Sequence, residues 1–131
     1  MGAKYLLDTN TVIDFSSHKL PDKAHKKLSS IIDFAPQISI INKIELLSLS
    51  NIPNQVVFFT QEAYVFPLNE DIVAKTIELR KKYKIKLPDA IIATTALMFN
   101  LVLITHNTVD FKNIKSLKLM DSYLMDSKSI W

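Results

Sequence analysis

The sequence predicts an α/β fold in which helices cover both faces of a parallel sheet. Three short apolar runs have the length of buried strands: residues 4–7, 37–41 and 101–105. Segments in which apolar residues recur at helical spacing separate these runs. Strands that alternate with helices are joined by crossover connections, so they lie parallel and are buried on both sides.

The composition limits the class of protein. We expect the 131 residues to form a single domain spanning residues 1–131. The absence of cysteine excludes disulfides and thiolate metal sites and suits a reducing compartment, so a cytoplasmic protein is expected. No apolar run approaches the roughly 18 residues of a membrane span, and no membrane partner is expected. The single glycine, Gly2, excludes a glycine-rich phosphate loop.

The first strand, residues 4–7, ends abruptly in a polar stretch. Residues 8–11 are short polar side chains that can cap a helix, and the helix continues through Phe15. Pro21 is placed to open a second helix, because proline suits the first helical turn. Pro36 ends that helix.

The second strand is predicted at residues 37–41. Asn42 then serves as the predicted N-cap of a short apolar helix, with Glu45 three residues on as in a capping box. Residues 51–62 are ambiguous between a loop and a short helix. The third strand, residues 64–67, is expected near a sheet edge because it ends in a proline.

Two helices and two strands complete the pattern. Asn69 is the predicted N-cap of a long helix whose last turns are basic. Pro88 opens the next helix, and Asp89 lies in its first turn, where free backbone N–H groups favour an anion. The remaining predicted elements are a strand at 101–105, a turn at 106–111 and a last strand within 116–120.

Four acidic residues are predicted to lie along one edge of the sheet. Asp8 directly follows the first strand, Glu45 lies one helical turn beyond the second, and Asp110 follows the 101–105 strand. Asp89 begins the helix that leads back into that strand, so it starts from the same edge. Functional sites of open parallel sheets collect at this edge. Taken singly, each acid could instead be a helix cap or a turn residue.

Together, the four carboxylates indicate a metal site. Carboxylates forced into proximity repel one another unless a cation lies among them. With no cysteine, and with three histidines that show no ligand spacing, the donor set suits a hard divalent ion, Mg²⁺ or Mn²⁺. Such an ion activates water and stabilises charge on a phosphoryl oxygen. This chemistry fits hydrolysis of a phosphodiester bond.

The acidic residues also lie in motifs that resemble those of PIN-domain ribonucleases. The motifs are the 6–14 segment (LLDTNTVID), Glu45 in a short helix, the 88–93 segment (PDAIIA) and the 105–111 segment (THNTVDF). Within that family the chain looks like the VapC-type toxins of type II toxin–antitoxin pairs. The resemblance implies a three-layer α/β/α sandwich with a mostly parallel sheet, Mg²⁺ or Mn²⁺ as the cofactor, and RNA as the substrate.

The same resemblance implies the roles of individual residues. The family's catalytic and metal-binding acids map onto Asp8, Glu45 and Asp89. Asp110 matches the fourth acid, although Asn107 could instead hold a ligand or a water in the same turn. Two threonines could orient the groups that hold the metal: Thr9 and Thr105.

The resemblance further implies a homodimer and a small antitoxin protein that covers the active-site groove. The apolar helices within residues 11–52 suit that contact. The basic segment 80–86 leads directly to Asp89. It could guide an RNA backbone toward the metal, or it could be a solvated helix end that complements its own dipole.

Two other functions fit parts of the pattern. An aspartyl-phosphate phosphohydrolase also has an aspartate after its first strand, but it needs a second acid two residues later, where this chain has Asn10. A non-catalytic PIN-like module that binds RNA or protein would usually have lost some of the acids, and this chain keeps them.

Overall fold

The computed structural model describes residues 4–126, and its elements follow the predicted alternation. No helix within that range is both long enough and apolar enough to cross a membrane. The strands are β1 (Tyr5–Leu7), β2 (Gln37–Ser39), β3 (Tyr64–Phe66), β4 (Val102–Ile104) and β5 (Lys118–Met120). The helices are α1 (Thr9–Ser16), α2 (Asp22–Phe34), α3 (Ile40–Leu47), α4 (Asn54–Glu62), α5 (Glu70–Lys82) and α6 (Leu87–Met98), with a 3₁₀ turn at Thr108–Asp110.

All strand pairs are parallel, as predicted. One section of the sheet has the order β1-β4-β5, with Leu103 opposite Leu6 on one side and Leu119 on the other. The other section pairs β2 with β3. The two sections adjoin, because Gln37 Nε2 of β2 donates a 3.1 Å hydrogen bond to the carbonyl oxygen of Tyr5 in β1.

Hydrophobic cores lie on both faces of the sheet. Leu7 and Ile104 point into the core formed with α1, α2 and α4. Their strand neighbours Leu6 and Leu103 point the other way, into the core formed with α6 and the end of α5. This alternation follows from the pleat of the strands. The predicted α/β/α sandwich with a parallel sheet is therefore confirmed.

The start of α3 differs from the prediction. Asn42 is not the N-cap, because the helix begins at Ile40, three residues earlier than predicted, and Ser39 caps it. Ser39 Oγ accepts from the backbone N–H of Asn42, and Asn42 Oδ1 accepts from the backbone N–H of Ser39 at 2.9 Å. The β-branched pair Ile40 and Ile41 has strand propensity, but this reciprocal cap and the packing of Ile41 in the core on the α6 side favour the helix. The ambiguous 51–62 region contains α4.

Candidate functional site

Asp8 lies where β1 ends and α1 begins. Its backbone N–H continues the sheet pairing by donating to the carbonyl oxygen of Ile104 at 3.0 Å. Its side chain is the N-cap of α1 and accepts from the backbone N–H of Thr9. The residue is only 6% exposed, so this carboxylate lies inside the C-terminal edge of the sheet.

The carboxylate of Asp8 accepts four hydrogen bonds from three parts of the chain. Oδ1 accepts from the backbone N–H of Thr9 at 2.9 Å and from Asn42 Nδ2 at 3.2 Å. Oδ2 accepts from Thr105 Oγ1 at 2.8 Å and from Asn10 Nδ2 at 3.2 Å. Burial raises the pKa of Asp8, while these hydrogen bonds oppose the rise. A carboxylate offers about four lone-pair sites, so these donors hold Asp8 in one orientation.

Glu45 joins the same network from α3. Thr9 Oγ1 donates to Glu45 Oε1 at 2.6 Å and accepts from Asn42 Nδ2 at 3.1 Å. Glu45 is exposed, whereas Asn42 is fully buried. The hydroxyl of Thr9 therefore positions Glu45 close to Asp8, although the two acids are 37 residues apart in sequence.

Asp89 stands half-buried in the first turn of α6. Burial and then the negative charges of Asp8, Asp110 and Glu45 raise its pKa to about 6, and Lys86 opposes the rise. Coulomb repulsion falls with distance. All three of the other acids are therefore near enough to Asp89 to disfavour its ionised form, and the four predicted acids share one edge of the sheet.

Asp110 and Asn107 are hydrogen-bonded partners in the turn after β4. Asn107 Nδ2 donates to Asp110 Oδ2 at 2.6 Å, and the backbone N–H of Asn107 donates to Thr105 Oγ1 at 3.0 Å. The sequence left open which of Asn107 and Asp110 completes the site. In the structure Asn107 holds the carboxylate of Asp110 and connects it to the threonine that binds Asp8.

The fit of this site to a metal ion depends on small side-chain movements. No three acidic or histidine side chains between residues 4 and 126 are grouped closely enough to ligate one ion as they stand. The donors are nevertheless oxygen atoms carrying excess negative charge, which is the chemistry that Mg²⁺ and Mn²⁺ select. Glu45 and Asp110 are exposed, so packing does not restrict their rotation.

Two asparagines in this site were not singled out from the sequence. From the sequence, Asn42 is expected only to cap a helix, and Asn10 is a possible helix-cap residue within the 6–14 motif (LLDTNTVID) with no separate role at the site. Each donates its side-chain amide to Asp8. For Asn42 the signal is that it precedes Glu45 by three residues and therefore shares its helix face. For Asn10 the signal is its place in that motif, two residues after Asp8.

The family follows from the sequence as well as from this geometry. A PIN-domain model matches residues 5–117. The chain belongs to the PIN-domain family. The motifs that suggested a PIN-domain resemblance all lie inside the matched range, so the predicted family is confirmed.

Solved structures of toxin–antitoxin and VapBC complexes contain chains that share this fold over nearly their whole length. A toxin–antitoxin complex from Klebsiella pneumoniae contains a chain 30% identical to this one, with a TM-score of 0.72 and coverage of 93% of this chain and 100% of that chain. A chain of VapBC-1 from nontypeable Haemophilus influenzae is 27% identical, with a TM-score of 0.73 and coverage of 90% of this chain and 97% of that chain. A chain of VapBC2 from Rickettsia felis, solved bound to a DNA fragment from their promoter, is 26% identical, with a TM-score of 0.72 and coverage of 88% of this chain and 96% of that chain. No curated protein matches the chain. These relatives confirm the VapC-type resemblance, and PIN domains of that type are generally nucleases.

Proposed function

We propose that this PIN-domain protein is a metal-dependent endoribonuclease and the toxin of a toxin–antitoxin pair. In this proposal Asp8, Glu45, Asp89 and Asp110 are the catalytic residues that hold Mg²⁺ or Mn²⁺. The observation that carries it is the hydrogen-bond network that connects Asp8 to Glu45 through Thr9 and to Asp110 through Thr105 and Asn107, with Asp89 and Asp110 lining one cleft. Burial, and then the negative charges of the other three acids, raise the pKa of Asp89. A divalent cation bound among the acids would relieve that repulsion.

The chain's own residues would prepare the site for hydrolysis. Asp8 stays anchored by its four donors, while Thr9 orients Glu45 and Asn107 orients Asp110. A bound divalent ion would lower the pKa of water and neutralise charge on the phosphate. The oxygen of water then bonds to phosphorus, one P–O ester bond breaks, and the departing ribose oxygen takes up a proton.

The proposed partners are an RNA substrate, a small antitoxin protein and a second copy of the chain in a homodimer. Support for the antitoxin comes from relatives solved as toxin–antitoxin complexes. An apolar groove lies between α1, α2 and α4, lined in part by Val12, Phe15 and Phe58. Phe34 and Phe58 expose 91% and 63% of their surface. Exposed aromatic side chains beside an apolar groove are typical of a surface that another protein covers.

A non-catalytic PIN-like module is the second candidate, and one observation favours it. No three acids within residues 4–126 are grouped to ligate an ion as they stand. The aspartyl-phosphate alternative is less compatible with the geometry, because the position two residues after Asp8, where that chemistry needs a second acid, holds Asn10, whose side-chain amide donates to Asp8.

The test is cleavage of total cellular RNA by the purified protein without an antitoxin. Reactions contain Mg²⁺, Mn²⁺ or EDTA, and Glu45→Gln is prepared identically. Glu78→Gln is the matched control, because Glu78 is an equally exposed acid in α5. Discrete fragments that need both the metal and Glu45 are expected. Folded protein that neither binds a divalent ion nor cleaves RNA would instead favour the non-catalytic module.

A further inference from the structure

A cleft opens directly beside two of the proposed metal-binding acids. Its volume is about 560 Å³, and Asp89 and Asp110 form part of its lining. Three exposed cationic side chains line it as well: Arg80 at the end of α5, and Lys84 and Lys86 in the connection to α6. The cleft therefore combines positive side chains with the acidic site.

The cationic lining continues away from the acids. A second hollow shares Arg80, Tyr83, Lys84 and Ile85 with the cleft and adds Lys81. Because the two hollows have these lining residues in common, they form one groove around the C-terminal end of α5. Four cationic side chains therefore line this one groove, which suits an extended polyanion better than a single small anion.

The helix dipole explains the position of only one of the three cations that line the cleft. Arg80 lies in the last turn of α5, where a positive charge complements the helix dipole. Lys84 lies beyond the end of that helix. Lys86 is the N-cap of α6, where its side chain makes no capping hydrogen bond and where the helix dipole disfavours a cation. None of the three forms an ion pair with a described residue. Lys86 does favour the ionised form of Asp89.

The cleft is built on fixed parts of the fold. The backbone N–H of Lys115 donates to the hydroxyl of Tyr83 at 3.0 Å, which ties the end of α5 to the segment before β5. Arg80 Nε donates to the carbonyl oxygen of Ile85 at 3.3 Å. Tyr83 and Ile85 both pack against the core on the α6 side of the sheet. A site held in this way loses little conformational freedom when a ligand binds.

We propose that this cleft binds the phosphate backbone of RNA next to the bond that is cut, through Arg80, Lys84 and Lys86. The inference rests on the proposed ribonuclease function and assigns the path of the substrate. Each cation neutralises a phosphate without reading the base, so the contribution to affinity is independent of sequence and sensitive to salt.

The test measures binding of a fluorescein-labelled 20-nucleotide RNA of mixed sequence by fluorescence anisotropy, in EDTA, over a series of salt concentrations. Every protein carries Glu45→Gln so that the RNA stays intact. The cleft variant adds Arg80→Ala, Lys84→Ala and Lys86→Ala. We expect affinity at least tenfold weaker at 100 mM salt, and a slope of log K against log salt that is smaller by about 2, since each phosphate contact to a single strand contributes about 0.7.

The control variant removes the same charge from another surface through Lys19→Ala, Lys23→Ala and Lys26→Ala, three exposed residues in and before α2. It should keep both the affinity, within a factor of about 3, and the salt slope. A charge-conserving variant, Lys84→Arg with Lys86→Arg, should bind like the parent.

Equal weakening by the cleft and control variants would overturn the inference, because net charge alone would then explain binding. Parental affinity in the cleft variant would overturn it too. In either case, metal-dependent cleavage by protein with Glu45 intact would leave the proposed function standing. If the Glu45→Gln protein does not bind RNA and the protein with Glu45 intact does not cleave it, the proposed function fails and the inference fails with it.

Discussion

Thr105 Oγ1 donates a 2.8 Å hydrogen bond to Asp8 Oδ2 and thereby connects the ends of β4 and β1. The two strands are neighbours in the sheet, with Ile104 opposite Leu7. The same hydroxyl oxygen accepts from the backbone N–H of Asn107, whose side chain holds Asp110. One buried hydroxyl therefore connects two of the four acids.

Replacing Thr105 by valine should lower both stability and activity. The substitution keeps the volume and β-branching but leaves Asp8 with one donor fewer in a buried position, which costs about 1–3 kcal/mol of unfolding free energy. Misplacement of groups that support metal ligands typically lowers activity about 10–100-fold. Urea unfolding and RNA cleavage rates measure the two effects. Thr105→Ser keeps the hydroxyl and should retain most of both, so equal losses in the two variants would contradict the role assigned to the hydrogen bond.

Asn42→Asp should destabilise the fold strongly. Asn42 is fully buried and donates its amide to Asp8 and to Thr9. Aspartate would place a second buried carboxylate against Asp8 and lose both donors, so we expect a loss of about 3 kcal/mol or more in urea unfolding at pH 7. Asn54→Asp is the control, because Asn54 is exposed at the start of α4, where the helix dipole favours an acid. A similar loss in both variants would contradict this account of Asn42.

Asp89→Asn should stabilise the metal-free protein at neutral pH. The pKa of Asp89 is raised from 3.8 to about 6 in the folded protein, so the folded state binds this proton more tightly than the unfolded state. The contribution of this carboxyl to the free energy of unfolding is fully present below pH 3.8 and is lost as pH rises through about 6. Urea unfolding in EDTA from pH 4 to pH 8 should therefore show that the Asp89→Asn variant is more stable than the parent, by a margin that grows with pH and levels off above about 6. An advantage that does not grow with pH would contradict the raised pKa of Asp89 in the folded protein.

Divalent ions should stabilise the parent protein and not the variants that lack a ligand. Binding to the folded state alone raises stability in proportion to the logarithm of the ion concentration. At 10 mM Mg²⁺ or Mn²⁺ we expect Tm to rise by about 3 °C or more, which corresponds to roughly 1 kcal/mol in a domain of this size. Asp89→Asn should respond much less, and Glu78→Gln should respond like the parent. An equal response in all three proteins would indicate that the ion binds elsewhere.

Much of the fold was predictable from local patterns. The alternation of apolar strand runs and helical spacing gave the α/β class, and Asn69 was correctly predicted as the cap of α5. The acids could be assigned to one edge because Asp8 and Asp110 follow strands, Asp89 begins a helix and Glu45 lies in the helix that follows the second strand, and parallel strands end together. The start of α3 was predicted wrongly. Ile40 and Ile41 have strand propensity, whereas the reciprocal cap of Ser39 and Asn42 and the burial of the helix favour the helical start.

The sequence alone determined the order of the strands and of the helices other than α4, the family, and the edge at which Asp8, Glu45, Asp89 and Asp110 are expected. Only the tertiary structure decided how these acids are held. Asn42 and Thr105 reach Asp8 from positions 34 and 97 residues away in the chain. Periodicity and capping signals extend over a few residues, whereas hydrogen bonds between side chains depend on the register of neighbouring strands and the placement of helices. The partners of a carboxylate at a sheet edge are therefore determined by packing.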